Sequence, residues 1–597
     1  MSLRERHPLD IAEILGIVLD TVANFNNYDP TDAGQAIHRA RCKNLMHAAL
    51  VNRFWHDIAR ERLWANVDLL TVLKLLPHDA WHFYNHSAVK QMGIKMRDFA
   101  RHRHRWPNTW SHQRRSVADP TFALTRPIRD EEWRGLLRYT RYIKTLRINF
   151  KDGSDDNQAP ELDNVALNQK VVFNAIARNL PTVRVFPKLE SLIVHELHEN
   201  AAALRFVYTG TSSVAPAPVT APRLKLWFCG HSGQMCNITK RVIVDCILTL
   251  SARGAFELTE LFLADEPIDA LVDDSDSSDS DDYDEGEGDE YGDDGAFSDA
   301  LRACHQLRRL KTCVLGPVSL VGISELPRLG ELALSTHGIA IFLADYAPKA
   351  SEFRATAFRS VRSLQFYDDS ESSISFAYLA DLISVRSSRW RLETFHCDTV
   401  IDVVVEELEE HVSMVPKLIS DHVHMDTLKS LRLTLASLEL KPSDVPFDAV
   451  LLRLLEFSRL EELVVRNGDE TGALLHPTPL TTDQVRTIAL SFRGIRKLGL
   501  GLSAPLSALS AFAEHCPRLS HLQIRPDRDN GLLPGSSAAS LAPHHHIIGC
   551  SFYMARSQYE TLFMGTHPTH AAAQAFMRRT FPRAVFEHES EMLLDFD

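Results

Sequence analysis

The 597-residue sequence has no apolar run long enough to cross a bilayer, and its first residues, MSLRERHPLD, lack the apolar stretch of a signal peptide. These absences predict an intracellular protein, cytoplasmic or nuclear, with no membrane partner. Cysteine is scarce and scattered: nine residues form no CxxC pair, in a chain far too large to need disulfide staples, so they are expected to be reduced and mostly in the core. Nucleotide-binding glycine loops are missing too. There is no GxxxxGK and no GxGxxG after a strand, and GHSGQ at 230–234 is not the GxSxG nucleophile elbow. HELH at 195–198 falls one residue short of the HExxH zinc helix, and His544, His545, His546, Cys550, His567 and His570 match no ligand spacing. A non-catalytic protein is expected, with no cofactor and no metal.

Positive charge is absent from one long stretch. Residues 273–299, DDSDSSDSDDYDEGEGDEYGDDGAFSD, hold fourteen Asp or Glu and no Lys or Arg, enough to account for the whole formal net charge of -13. A run so charged and so poor in large apolar groups cannot offset the entropy of ordering, which predicts a disordered acidic insert. Ser275, Ser277, Ser278 and Ser280 lie among its carboxylates, a setting that resembles the substrates of acid-directed kinases; the run could equally engage a basic partner or be a solvated loop. The opposite anomaly lies upstream. RHRHRWPNTWSHQRR at 101–115 interleaves arginine with Trp106 and Trp110, a mixture that suits single-stranded nucleic acid. No RNP, KH, zinc-finger or helix-turn-helix signature accompanies it, so nucleic acid is not expected as a partner and the stretch reads as part of a basic linker or first capping region over 71–140.

What the sequence has in abundance is one spacing, apolar-x-x-apolar-x-apolar. It occurs as Leu189/Leu192/Val194, Leu258/Leu261/Leu263, Leu329/Leu332/Leu334, Leu428/Leu431/Leu433, Leu460/Leu463/Val465 and Leu519/Leu522/Ile524, with weaker copies starting at Ile143, Leu224, Leu307, Val361, Leu392 and Ile495. Four copies follow Pro-basic-Leu, at 187, 222, 327 and 517; a fifth PKL, at 416, has no such pattern after it. From Leu189 the starts advance by 22 to 36 residues, except for one step of 49 that contains the acidic insert. Alternate residues of a strand face one way, so the second and third apolar positions point to a common interior. Amphipathic segments such as DQVRTIALSFRG and SALSAFAEHCP are the predicted return helices. One strand and one helix cannot bury their apolar faces alone; stacked copies can, as a solenoid with a curved parallel sheet. This is an α/β fold class, expected over 141–597, and it resembles an irregular leucine-rich repeat.

The N-terminal region carries a second resemblance. PLDIAEILGIVLDTV from Pro8 places Ile11, Ile14, Leu15 and Val18 on one helical face, with Asp10 and Glu13 at cap spacing. HAALVNRFWHDIARERLW at 47–64 adds helix with Leu50, Phe54, Trp55, Ile58, Leu63 and Trp64 as its apolar set. Together they resemble an F-box, whose pattern of Leu-Pro-x-Glu, an Ile/Leu-rich helix and Val-Cys-Arg-x-Trp is matched by Pro8, Ile11, Ile14, Leu15, Leu50, Val51, Arg53 and Trp55. His7 and Asn52 replace the family's leucine and cysteine, and the long interval implies an insert around 20–44 of a module covering 1–70. ARERLWANVDL after the box is similar to fungal members, where it leads into the first strand. The resemblance implies docking on the Skp adaptor of an SCF-type cullin-RING ubiquitin ligase, through Pro8, Leu9, Ile11, Ile14, Leu15, Leu50, Val51 and Trp55, while the repeats bind a substrate protein of unknown identity. The competing expectation is a helical cap on a ligase-independent scaffold, its acidic insert holding a basic partner.

Overall fold

The computed structural model describes residues 18–19, 32–84, 121–149, 166–167, 172, 175–176, 178–181, 183–195, 207, 223–229, 240–251, 256–264, 292–313, 317–335, 350–367, 373–386, 388–402, 408–435, 447–467, 480–527, 549–552, 578–580 and 585–588. The chain divides into two compact units, Met1–Leu307 and Arg308–Asp597.

The first unit opens on helices α1 (Asp32–Ala49) and α2 (Arg53–Leu63), which pack against each other. Helical spacing across 47–64 predicts helix throughout, but the chain turns at residues 50–51 and restarts. Asn52 is the reason: its side chain accepts the Trp55 N–H at 2.9 Å and caps α2. The insert expected around 20–44 is likewise helix from Asp32 onward, because DAGQAIHRARCKNLMHAA is rich in strong helix formers. There follow β1 (Asn66–Asp68), α3 (Leu69–Leu73), β2 (Trp81–Tyr84), β3 (Thr121–Leu124), α4 (Asp130–Thr140), β4 (Thr145–Asn149), β5 (Ala166–Leu167), β6 (Ser191–His195), β7 (Arg223–Cys229), α5 (Lys240–Ser251), β8 (Glu257–Ala264) and α6 (Gly292–Arg302).

Strands β1, β4, β6, β7 and β8 pair in parallel in that order. The region 71–140 is more than a linker. Aromatic-rich β2 and β3 pair antiparallel, with β5 beside β3, and Phe122 is fully buried under the Trp81 ring at 5.5 Å. The basic stretch 101–115 lies outside the described residues. The acidic run needs a similar correction. Its last eight residues belong to α6, where Phe297, Ala300 and Leu301 are buried at helical spacing and α6 packs on α5; residues 273–291 lie outside the described residues.

The second unit contains β9 (Arg309–Cys313), α7 (Pro317–Ser324), β10 (Glu331–Ser335), β11 (Ser363–Tyr367), β12 (Ser373–Ser375), α8 (Phe376–Ser384), β13 (Thr394–Asp402), α9 (Leu408–His422), β14 (Ser430–Leu435), α10 (Phe447–Leu454), β15 (Glu462–Asn467), α11 (Thr482–Ser491), β16 (Lys497–Pro505), α12 (Ser510–His515), β17 (His521–Asp527), β18 (Gly549–Phe552) and β19 (Val585–His588). From β9 to β19 the strands pair in parallel in chain order, with β12 attached only to β13. The alternation of helix and parallel strand in each unit is the α/β, leucine-rich-repeat-like arrangement that the spacing predicts.

Every copy of the spacing is a strand. In eleven of the twelve, all three positions are buried, Leu428, Leu431 and Leu433 being typical. The copy at Leu224 is one residue short. A register shift between Leu224 and Lys225 brings Leu226, not Trp227, beside Leu192 and Leu261. The PKL at 416 has no strand after it because Pro416 sits inside α9. Of the two return segments, DQVRTIALS is α11, opened by a capping box in which Gln484 N–H donates to Thr481 Oγ1 and Thr481 N–H to Gln484 Oε1, whereas SALSAFAEHCP begins as a 3-10 turn over Leu506–Leu509 and is α-helical only over α12.

A backbone seam ties the copies of the second unit together. The residue after each first apolar position donates its N–H to the carbonyl of its counterpart in the preceding copy, through Arg308, Gly330, Arg362, Glu393, Lys429, Glu461, Arg496 and Ser520, at 2.7–2.8 Å. Backbone N–H and C=O groups at the strand entrances are thereby satisfied by the repeat itself. Phe358, with φ of 51° in the left-handed region, is held there by its N–H bond to Ser324 O at 2.8 Å and by stacking on buried Trp390 at 5.4 Å. Among the described residues, no helix is long and apolar enough to cross a membrane, and Cys246, Cys304, Cys397 and Cys516 are buried cysteines not joined in disulfides.

Candidate functional site

Two surfaces carry side chains in arrangements that packing alone does not require. The first is the corner between α1 and α2. Its interior is small: Leu19, Leu45 and Ala59 are buried, with Ala48, Ala49, Trp55, Ile58 and Leu63 packed around them. Asn52 stops one helix and starts the next, so the two residues before it have no interior to enter. Leu50 is 83% exposed and Val51 59%, and Val18, Met46 and Phe54 are also exposed. Leu50 and Val51 thus stand as adjacent exposed apolar side chains at the turn between α1 and α2, close in sequence to Trp55, which packs into the pair.

The pair is also tied to α4 and to the segments that lead into β4 and β6. Arg60 donates to Tyr142 Oη at 2.8 Å and lies over its ring, Lys188 pairs with Glu61 at 3.4 Å, and the Trp64 ring packs on Tyr139 at 4.8 Å. Of the residues that resemble an F-box docking set, Leu50 and Val51 are brought together on the outside. Trp55 packs into the helix pair instead. Pro8, Leu9, Ile11, Ile14 and Leu15 lie outside the described residues, as do Ser275, Ser277, Ser278 and Ser280.

The second surface is the outward face of the second unit's sheet. Along β14 the burial alternates, with Leu431, Leu433 and Leu435 inside and Ser430, Arg432 and Thr434 outside. Parallel register then sets Thr394, Ser430, Glu462 and Lys497 in one row and His396 and Arg432 in the next. A polar network results. Ser430 Oγ donates to Glu462 Oε2 at 2.8 Å and lies 2.7 Å from His396 Nε2. The serine's one proton is committed to the carboxylate, so Nε2 carries the imidazole hydrogen and donates it. Arg432 Nε donates to Glu462 Oε1 at 3.0 Å, and Lys497 Nζ lies 3.4 Å from the same oxygen.

The electrostatics follow from that geometry. Burial, reinforced by Arg432 and Lys497, pushes His396 down to about 4, so it is neutral at physiological pH. Burial would raise Glu462, but Arg432, the Ser430 hydroxyl and Lys497 together outweigh it and hold the carboxyl below its usual range. Asp398 goes the other way, raised chiefly by burial. Ser430 thus donates to an ionised carboxylate of low basicity while it accepts from the neutral imidazole. The arrangement holds donors and charges of both signs in fixed positions on the outward face of the sheet.

Sequence reasoning did not single out His396, Ser430, Arg432, Glu462 or Lys497. They occupy the x positions of the repeated spacing, and aligning the copies by their apolar residues is the signal that places them side by side. Among the described residues, no group of three His, Cys, Asp or Glu stands together as metal ligands, and His195 ends β6. His544, His545 and His546 fall outside the described residues. The sequence matches no protein-family model, and no curated protein matches it.

Proposed function

We propose that the chain is a substrate-recognition subunit of an SCF-type cullin-RING ubiquitin ligase. It docks on the Skp adaptor through α1 and α2 and offers the outward face of its repeats to a target protein. The observation that carries this reading is the exposed corner of Leu50 and Val51, which coincides with the residues that resemble the end of an F-box and sits beside the packed Trp55. Each such side chain, if covered by a partner, contributes about 1.5–3 kcal/mol. The polar network around Glu462 supports the second half of the reading, because fixed charges on a sheet face give specificity towards a protein surface.

On this reading the chain performs no chemistry. It raises the effective concentration of a target beside the ligase's charged enzyme. The test is co-purification of the full chain with purified Skp adaptor in physiological salt. A stoichiometric complex is expected; a folded chain that leaves the adaptor unbound would turn the helix pair into a cap and the protein into a ligase-independent scaffold.

A further inference from the structure

The backbone seam of the second unit carries a charge pattern. Its last five charged positions alternate without a fault: Arg362, Glu393, Lys429, Glu461 and Arg496. Neighbours in that series are close, with Lys429 Nζ 2.6 Å from Glu393 and Arg496 Nε 3.3 Å from Glu461. Continued backwards, the alternation calls for an acid at the next position and a base at the one before. The base is there, as Arg308. The acid is not: the position is Gly330, whose N–H bonds to Arg308 O at 2.8 Å and whose carbonyl accepts from Arg362 N–H at 2.7 Å.

Gly330 lines an open cleft of about 590 Å³, walled by Arg308, Arg309, Arg328 and Arg362 against Glu331 and Glu393. Both carboxylates are already engaged, Glu331 by Arg309 at 2.9 Å and Glu393 by Lys429. Arg308 and Arg362 stand two strand spacings apart, about 10 Å, so an oxyanion between them reaches both. Guanidinium groups bind phosphate bidentately, and a net positive wall of this size matches a dianion better than a single carboxylate.

We infer that the cleft at Gly330 is a binding site for a phosphate monoester, which takes the place of the acid missing from the ladder. The site stands independently of the ligase reading. No covalent step is involved; the ester binds and leaves unchanged.

The experiment measures binding by calorimetry on the full chain at constant ionic strength, with three probes: a Gly-phosphoserine-Gly peptide, the same peptide with glutamate, and glycerol phosphate. Gly330→Glu supplies the missing carboxylate. A Cβ at this position meets only Arg308 O, at 3.7 Å, an ordinary contact, and the remaining atoms of the glutamate have the open cleft to enter. Saturable binding of a phosphate ester is expected, weakened at least about tenfold in Gly330→Glu and in Arg362→Ala and within about twofold of wild type in Gly330→Ala. Binding of the phosphopeptide alone marks a phosphorylated protein as the source, and equal binding of glycerol phosphate marks a small ester; either supports the site. Absence of saturable binding, equal binding of the glutamate peptide, or unchanged binding in folded Gly330→Glu would overturn it.

Discussion

Lowering the pH from 7 to 5 should destabilise the second unit through one side chain, His396. The fold holds this imidazole neutral, at about 4 against 6.5 for an unperturbed histidine, because it is buried beside Arg432 and Lys497 and already donates its Nε2 hydrogen to Ser430. Its contribution is complete above 6.5 and is lost progressively as pH falls towards 4, since the unfolded chain binds the proton first. At pH 5 the unfolded imidazole is nearly all charged while the folded one is nearly all neutral, and the linkage integral gives a loss of about 2 kcal/mol relative to pH 7. Asp398, its carboxyl raised by burial, works in the opposite direction, gaining stability as pH falls. The comparison that isolates His396 is therefore with His396→Gln, which keeps a donor for Ser430 but has no proton to gain. Urea unfolding of both proteins at pH 7 and pH 5 should show the wild type losing about 2 kcal/mol more than the variant. Equal losses would refute the reasoning and mean that the imidazole is solvated enough to titrate normally.

The core and the backbone give three sharper mechanical tests. Trp390 is fully buried, donates Nε1–H to Ile383 O at 2.8 Å and stacks on Phe358, so Trp390→Ala should cost about 3–5 kcal/mol in chemical denaturation. Gly499→Ala should cost about 1–3 kcal/mol, because the new Cβ would sit 3.2 Å from Cγ1 of stiff, buried Val464 and 3.1 Å from Gln523 Oε1; Gly494→Ala, whose nearest atom is 4.0 Å away, should be nearly neutral in the same assay. Thr481→Ala removes one half of the α11 capping box and should cost about 1 kcal/mol, seen as a lower denaturation midpoint with an unchanged slope.

The interior of this protein is easier to read from its sequence than its surface. The second and third apolar positions of each copy must face inward, so a spacing of Leu431 and Leu433 fixes a strand and its buried side together. Where a copy is short, as at Leu224, the register slips by one residue, and only strand pairing shows it. Strands β18 and β19 carry no such spacing and went unrecognised; they are held by pairing to β17 and to each other. The break at Asn52 was legible in principle, since asparagine is a favoured N-cap, but the helical periodicity continues through it and masks the stop. Charge density hid α6 in the same way. DDGAFSDALR carries Phe297 within the acidic run and Ala300 and Leu301 just past its end, at three- and four-residue spacing. The outward network of His396, Ser430 and Glu462 comes from three different copies, and no window of contiguous sequence contains it.

The proposed role of the α1–α2 corner is tested most directly by the affinity of the full chain for the Skp adaptor with Leu50→Asp and Val51→Asp combined. Both side chains are solvent-exposed, so the variant should unfold within about 0.5 kcal/mol of wild type. Burying the two side chains in a partner is worth about 1.5–3 kcal/mol each, so the affinity should fall by at least about a hundredfold. Leu452→Asp, an exposed leucine on α10, serves as the control and should bind as wild type does. Undiminished binding by the folded corner variant, or equal loss in the Leu452 control, would contradict the account.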